Sequence, residues 1–235
     1  MTAGLVGLVV VSHSAEIARG LVQLAGQMAP RVSVVGAGGT DDGGLGTSFG
    51  QITAALVTAD TGAGVVVLCD LGSAVLTAEL ARDLLDETAQ ERVRIVDAPL
   101  VEGAVAAAVA AEIGGDLAAV EAAAASAGRL EGDQVASPGG DSLSAEPADP
   151  ATVTRTVTLV NRDGLHARPA ADFVRLASTF DAQISVNGQD ATSLLGIMGL
   201  GLATGRAVEL VASGEQAHQA VQALAELIES GFGEP

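Results

Sequence analysis

Through the first 125 residues, short runs of β-branched and aliphatic side chains alternate with longer stretches whose apolar positions recur at helical spacing. Leu5–Val11, Val32–Val35, Val65–Cys69 and Val93–Val96 read as strands, each followed by a candidate helix, which is the rhythm of a parallel sheet with helices between its strands. VVV at Val9–Val11 and VVVL at Val65–Leu68 are continuously apolar, as strands covered on both faces should be. The Ala-rich stretch Ala104–Ala125 imitates a membrane span, but Glu112, Asp116 and Glu121 interrupt it and Gly114-Gly115 splits it, so two soluble helices are expected. From Ser126 to Thr152 the pattern lapses into SAGRLEGDQVASPGGDSLSAEPADPAT, rich in Gly, Ser, Pro and acids, which marks a flexible linker. Beyond it Thr154–Val160 alternates as TRTVTLV, Gln183–Val186 and Val208–Ala212 read as strands, and Ala167–Ala177 and Gln216–Glu229 are amphipathic at helical spacing. The expected organisation is an α/β domain over 1–125 with a doubly wound, mainly parallel sheet, a linker over 126–152, and an α+β domain over 153–235 with helices on one face of its sheet.

Charge narrows the partners. The 235 residues carry a net charge of −18, and every one of the 11 basic residues is Arg. Without lysine, Schiff-base chemistry and the P-loop are excluded. A polyanion is repelled by phosphate backbones and anionic lipid, so proteins and small molecules are the expected partners, with no nucleic acid and no membrane. The amino terminus lacks a basic flank and a cleavage pattern, which predicts a cytoplasmic protein. The single cysteine, Cys69, sits in a strand run and reads as a buried small residue; one thiol supplies neither an internal disulfide nor a thiolate metal site.

Two of the three histidines stand where a strand run gives way to a helix, at positions where unpaired backbone N–H groups welcome an anion. His13 lies in VVVSHSAEIARG, after the first strand. Asp70 lies in CDLGSAV, after a second strand, with Gly72 and Ser73 beside it. A carboxylate there can hold one imidazole nitrogen and leave the other nucleophilic; the plainer alternative is a polar turn residue bonding locally. The glycine-rich loop Gly36–Gly50 lacks a nucleotide-binding ending, and Thr47 or Ser48 is placed to cap the next helix. Such a loop offers a flexible, backbone-donating wall at the strand ends. His166, in NRDGLHARPAADFV, is followed by Arg168 and Pro169, which places it at a helix N-terminus where a phosphate on its ring meets free N–H groups, the helix dipole and a guanidinium. His218 reads as solvated surface. No metal and no cofactor are expected.

DGLHARPAADFV followed by TSLLGIMGLGLATG, within residues 154–232, resembles the histidine-containing phosphocarrier HPr of the bacterial phosphotransferase system. The resemblance implies an open-faced β-sandwich in which His166 carries a phosphoryl group, Arg168 helps to bind it, and Ala167 adjoins it. Ser193 occupies the place of a regulatory serine in some HPr proteins; its plainer role is to start the helix presenting Leu194, Leu195 and Met198. VVVSHSAEIARG, LGTSFG, LCDLGSAVLTAEL and DAPLVEGAV, within residues 4–125, resemble the mannose-class EIIA fold, and among its members the phosphotransferase subunits of phosphoenolpyruvate-dependent dihydroxyacetone kinases, toward which Leu100–Ala104 tips the comparison. That implies a second phosphohistidine at His13 oriented by Asp70, with Ser12, Thr47, Gly72 and Ser73 contacting phosphate or partner. The implied partners are a separate enzyme I as phosphoryl source, the ADP-binding and dihydroxyacetone-binding kinase subunits, free HPr as a substitute donor, and a second copy paired through the first domain. The expected order runs from phosphoenolpyruvate through enzyme I, His166 and His13 to ADP on the kinase. The alternatives are an EIIA of sugar transport delivering to an EIIB, and a regulatory module whose phosphorylation alters partner binding.

Overall fold

In the computed structural model, which describes residues 4–130, 152–162 and 164–233, the chain divides into two units, Met1–Glu131 and Gly132–Pro235. The first contains β1 (Gly7–Ser12), α1 (Ala15–Met28), β2 (Val34–Gly38), α2 (Phe49–Ala59), β3 (Val65–Cys69), α3 (Gly72–Asp83), the short α4 (Glu87–Gln90), β4 (Val93–Val96), α5 (Leu100–Glu112) and α6 (Leu117–Leu130). Its sheet is parallel in the order β2-β1-β3-β4, with Val9 in register with Val35 on one side and Val67 on the other. The strands are as apolar as their position demands: alternate residues Val9, Val11, Val65 and Val67 pack under Ile52 and Leu56 of α2 and Ala74 and Ala78 of α3. Leu8 and Val10 are buried on the opposite face, where α1 contributes Leu21 and Ala25 and α5 contributes Ala104, Ala107 and Ala108. A Cβ at Gly103 would stand 2.8 Å from Leu68 Cδ2, so glycine is what lets α5 lie so near the sheet.

Several element boundaries differ from those expected. β1 starts at Gly7, and β2 runs to Gly38 because Gly36, Ala37 and Gly38 continue the ladder opposite Val10, Val11 and Ser12. The glycine-rich loop therefore begins after Gly38. α6 continues to Leu130, five residues into the stretch whose composition marked a linker, because Ala124 and Ala127 are buried and carry the helical stripe onward. The rest of that linker, residues 131–151, lies outside the described residues. The two helices expected across Ala104–Ala125 are α5 and α6, broken at Gly114-Gly115, and no described helix is long and apolar enough to cross a membrane.

The second unit contains β5 (Val153–Thr158), α7 (Ala167–Ala177), β6 (Gln183–Val186), β7 (Gln189–Asp190), α8 (Leu194–Gly199), β8 (Ala207–Ser213), α9 (Ala217–Glu229) and a 3-10 turn at Gly231–Gly233. Its four-stranded sheet is antiparallel in the order β5-β8-β6-β7. Val208, Leu210 and Ala212 of β8 are buried with Phe173 and Val174 of α7 and Leu224 and Ile228 of α9. Thr154, Thr156 and Glu209 are exposed on the other face, the alternation of a sheet covered on one side. β6 turns into β7 through Asn187-Gly188, both at positive φ (47° and 82°), the geometry of a two-residue hairpin turn.

One buried charge ties the first unit together. Glu112, the last residue of α5, is 3% exposed; it accepts from Arg31 Nε at 2.7 Å and Arg31 N at 3.0 Å, while the guanidinium also donates to the Glu112 carbonyl. Arg31→Met is expected to destabilise the first unit by about 1–3 kcal/mol, because a buried carboxylate loses its charged donor. The urea midpoint of its unfolding transition checks this, and Arg31→Lys should recover part of the loss.

Candidate functional site

β1 and β3 are neighbours although β2 separates them in the chain, so the connections leave their carboxyl ends in opposite directions and open a crevice there. His13 follows β1, and Asp70 follows β3, each on its own side of that crevice. The imidazole Nδ1 of His13 lies 2.9 Å from Asp70 Oδ1. Asp70 Oδ2 accepts from the His13 backbone N–H at 2.8 Å and from the Ser12 hydroxyl at 2.9 Å, and Oδ1 also accepts from Leu71 N at 2.8 Å. Burial pushes the Asp70 carboxyl up, but these hydrogen bonds from His13, Ser12 and Leu71 outweigh it and hold the group below the ordinary carboxylate value.

An ionised Asp70 accepts only, so Nδ1 carries the imidazole proton and Nε2 presents its lone pair. Ser73 Oγ stands 2.7 Å from Nε2 and, with that tautomer, donates to it. Ser73 and Gly72 are the first residues of α3, whose N-cap is Leu71 and which has no side-chain cap. Their N–H groups are thus at an unsatisfied helix start beside the nucleophilic nitrogen. By contrast Ser14 caps α1 and Ser48 caps α2, settling which of Thr47 and Ser48 starts that helix.

Thr47 does not reach His13. Its hydroxyl lies 3.1 Å from that of Thr77, which in turn donates to the Ser73 carbonyl at 2.9 Å, so Thr47 supports Ser73 from behind. Thr77 is a contributor that sequence reasoning missed, and no motif marks it: its role follows from one helical turn separating it from Ser73. Gly46 N donates to the His13 carbonyl at 2.9 Å, which anchors the glycine-rich loop to the site. Cys69 is half-buried rather than buried, the last residue of β3, and packs against the core cluster that includes Ile52 and Leu56 of α2 and Ala74 and Ala78 of α3. Burial first, then Asp70 and Glu79, push its thiol up to about 12, which leaves no thiolate near neutral pH.

In the second unit His166 is the N-cap of α7, with Ala167 and Arg168 as its first two helical residues and Pro169 in the first turn. His166 and Arg168 are exposed, and the His166 carbonyl accepts from Ala170 N at 2.9 Å. Gly164, at φ +70°, brings the chain into this turn, and any Cβ there would stand 2.4 Å from the Leu202 carbonyl oxygen. Ser193 caps α8 by accepting from Gly196 N at 3.2 Å. Leu194 and Leu195 of that helix are buried and Met198 is half-buried, so the helix packs those leucines inward instead of presenting them. His218 is exposed on α9. Among the described residues no group of three or more His, Cys, Asp or Glu side chains is arranged to hold a metal ion.

Comparison with known proteins follows the same division. Residues 7–121 match the family model for the PTS system fructose IIA component, and residues 153–230 match that for the PTS HPr component phosphorylation site. The chain is 35% identical over 241 residues, 98% of its own length, to the PEP-dependent dihydroxyacetone kinase phosphoryl donor subunit DhaM of Escherichia coli; it spans about half, 51%, of that relative. It is 42% identical over 106 residues, 45% of its length and 85% of the relative, to phosphoryl donor subunit DhaM of PEP-dependent dihydroxyacetone kinase 2 of Listeria innocua. It is 44% identical over 80 residues, 32% of its length and 90% of the relative, to the phosphocarrier protein HPr of Haloferax volcanii.

Asp70→Asn is expected to abolish the single imidazole tautomer: nitrogen NMR of His13 should show a protonated Nδ1 in the wild type and a mixture in the variant. Because the folded Asp70 value lies below its unfolded value of about 3.9, its stabilising contribution is full above that pH and is lost as pH falls through the lower folded value. Acid unfolding of the first unit should therefore lose a component in the variant.

Proposed function

Because the chain belongs to the family of DhaM phosphoryl donor subunits of dihydroxyacetone kinase, we propose that it is a cytoplasmic phosphohistidine relay carrying a phosphoryl group from phosphoenolpyruvate toward dihydroxyacetone. Enzyme I charges His166, His166 charges His13, and His13 delivers the group to ADP held on the ADP-binding kinase subunit, which acts with the dihydroxyacetone-binding subunit. The observation that carries this reading is the His13 imidazole, anchored to Asp70 through Nδ1 and presenting Nε2 at the uncapped start of α3.

Each transfer is an in-line exchange in which a new bond to phosphorus forms as the donor's bond to phosphorus breaks: a ring nitrogen attacks at His166 and at His13, and a terminal phosphate oxygen of ADP attacks in the last step, releasing His13 as the free imidazole. Positioning and charge neutralisation supply most of the catalysis for such a reaction. When Nε2 attacks, the imidazole becomes cationic, and Asp70 stabilises that charge through Nδ1–H. The Ser73 hydroxyl turns from Nε2 to the arriving phosphoryl oxygens, which the N–H groups of Gly72 and Ser73 also meet. At His166 the Arg168 guanidinium and the start of α7 take the corresponding role. Ser12 acts through Asp70 and Thr47 through Ser73.

Pairing of two copies through the first unit is part of this reading. α3 buries Ala74, Ala78 and Ala81 against the sheet and exposes Leu76 (68%), Leu80 (54%) and Leu84 (68%), an inversion of the usual amphipathic order.

His13→Ala should leave His166 chargeable by enzyme I and phosphoenolpyruvate while stopping delivery to the ADP-loaded kinase subunit. His166→Ala should block both steps unless free HPr is added. Labelled phosphate reaching His13 without an HPr-type donor contradicts the order, and delivery to an EIIB in place of ADP moves the chain to sugar transport. In sedimentation experiments Leu80→Arg should convert a dimer into a monomer without loss of helicity.

A further inference from the structure

We infer that Thr204 and Asn161 are positioning residues for phosphoryl uptake at His166, acting as a strap that fixes the turn leading into α7. The inference rests on the proposal that His166 carries the phosphoryl group. Leu159 and Leu165 are laced to residues 202–206 by backbone bonds: Leu159 N to the Arg206 carbonyl at 3.0 Å, Gly205 N to the Leu159 carbonyl at 2.7 Å, and Leu165 N to the Leu202 carbonyl at 2.8 Å. Between these, the Thr204 hydroxyl lies 2.6 Å from both the Asn161 and the Arg162 carbonyl oxygens and bridges them.

Asn161 closes the turn from inside. Its side chain is 4% exposed, and it is the only buried polar side chain among the described residues of the second unit. Its Nδ2 donates to the Gly164 carbonyl at 2.5 Å, and its own carbonyl accepts from Gly164 N at 3.2 Å. The same Gly164 carbonyl accepts from His166 N at 3.0 Å. One oxygen thus receives the buried carboxamide on one side and the backbone of the phosphoryl-bearing residue on the other. These bonds end on the backbone of the turn and set where Cα of His166 sits relative to the N–H groups of α7. Transfer needs the ring nitrogen in line with an incoming phosphorus, and a displacement of about 1 Å can cost as much as 100-fold in rate. A buried polar group in an otherwise apolar core is explained by such a positioning demand.

Thr204 is exposed, so Thr204→Val removes the bridge without opening the core. With the full chain, enzyme I and phosphoenolpyruvate, this variant should show His166 phosphorylated roughly tenfold more slowly at saturating enzyme I, with KM for enzyme I unchanged. Thr204→Ser, which keeps the hydroxyl, should restore the rate. In NMR of the uncharged chain, Thr204→Val should shift the His166 ring and speed hydrogen exchange at His166 N, and Thr204→Ser should reverse both. Wild-type uptake and unchanged His166 signals in Thr204→Val overturn the strap, as does a slowing that Thr204→Ser fails to rescue. If the wild-type chain takes no phosphoryl group at His166, the functional proposal fails instead, and the NMR comparison still decides whether Thr204 positions the ring.

Discussion

The first unit turns on the Asp70 carboxylate, which gathers donors from both sides of a crevice: the backbone and ring of His13, the hydroxyl of Ser12 and the backbone of Leu71. A group so surrounded keeps its charge despite partial burial. That charge fixes the imidazole proton on Nδ1, and the fixed proton leaves Nε2 with the available lone pair. The arrangement exists because β1 and β3 are paired, Val11 beside Cys69, so that the next residues on each strand meet at the same level. Sheet register therefore determines the tautomer, and a slip of one residue would point His13 or Asp70 elsewhere.

The two histidines reach the same local setting, a helix start rich in unpaired N–H groups, by different means. His13 is held by its side chain, clamped to a carboxylate from another strand, while its backbone is fixed by Asp70 and Gly46. His166 is held through its backbone, as the N-cap of α7, with the turn before it strapped to residues 202–206. In the proposed relay the first arrangement would stabilise a cationic ring through the Asp70 carboxylate, and the second would offer the Arg168 guanidinium to a phosphoryl group on His166. The proposed relay would benefit from this asymmetry, since each site would have both to accept the group and to release it.

The sheet and the pairing of His13 with Asp70 were legible in the sequence because both rest on strongly periodic runs: four apolar strands, and polar residues placed directly after two of them. β6, α7, β3 and β4 fall on their expected residues. Features that depend on packing were not legible. The first turns of the linker are helical because Ala124 and Ala127 find a surface to bury against, and composition alone says nothing of that surface. β7 escaped because it has only two residues, although Asn187-Gly188 carries the hairpin signal. Ser73 could be placed near the site but not on Nε2, and Thr77 and Thr204 act through hydroxyls whose partners lie far away in the chain or one helical turn off.

α3 shows how one helix meets two demands at once. Its inward positions are alanines, which allow the helix axis to approach the sheet closely and bring the helix start, Gly72 and Ser73, to the level of His13. Larger inward residues would lift the helix and withdraw those N–H groups from Nε2, because a core at crystal-like density transmits added volume as backbone displacement. The same choice leaves the leucines on the outer surface, where Leu76, Leu80 and Leu84 contribute nothing to the core of a single chain. Small residues inside set the geometry of the site, and the large ones outside are then available for association. The placement of Gly72 and Ser73 beside His13 and the exposed leucine stripe thus share a single sequence pattern, which makes the inward alanines of α3 as consequential for His13 as the residues that touch it.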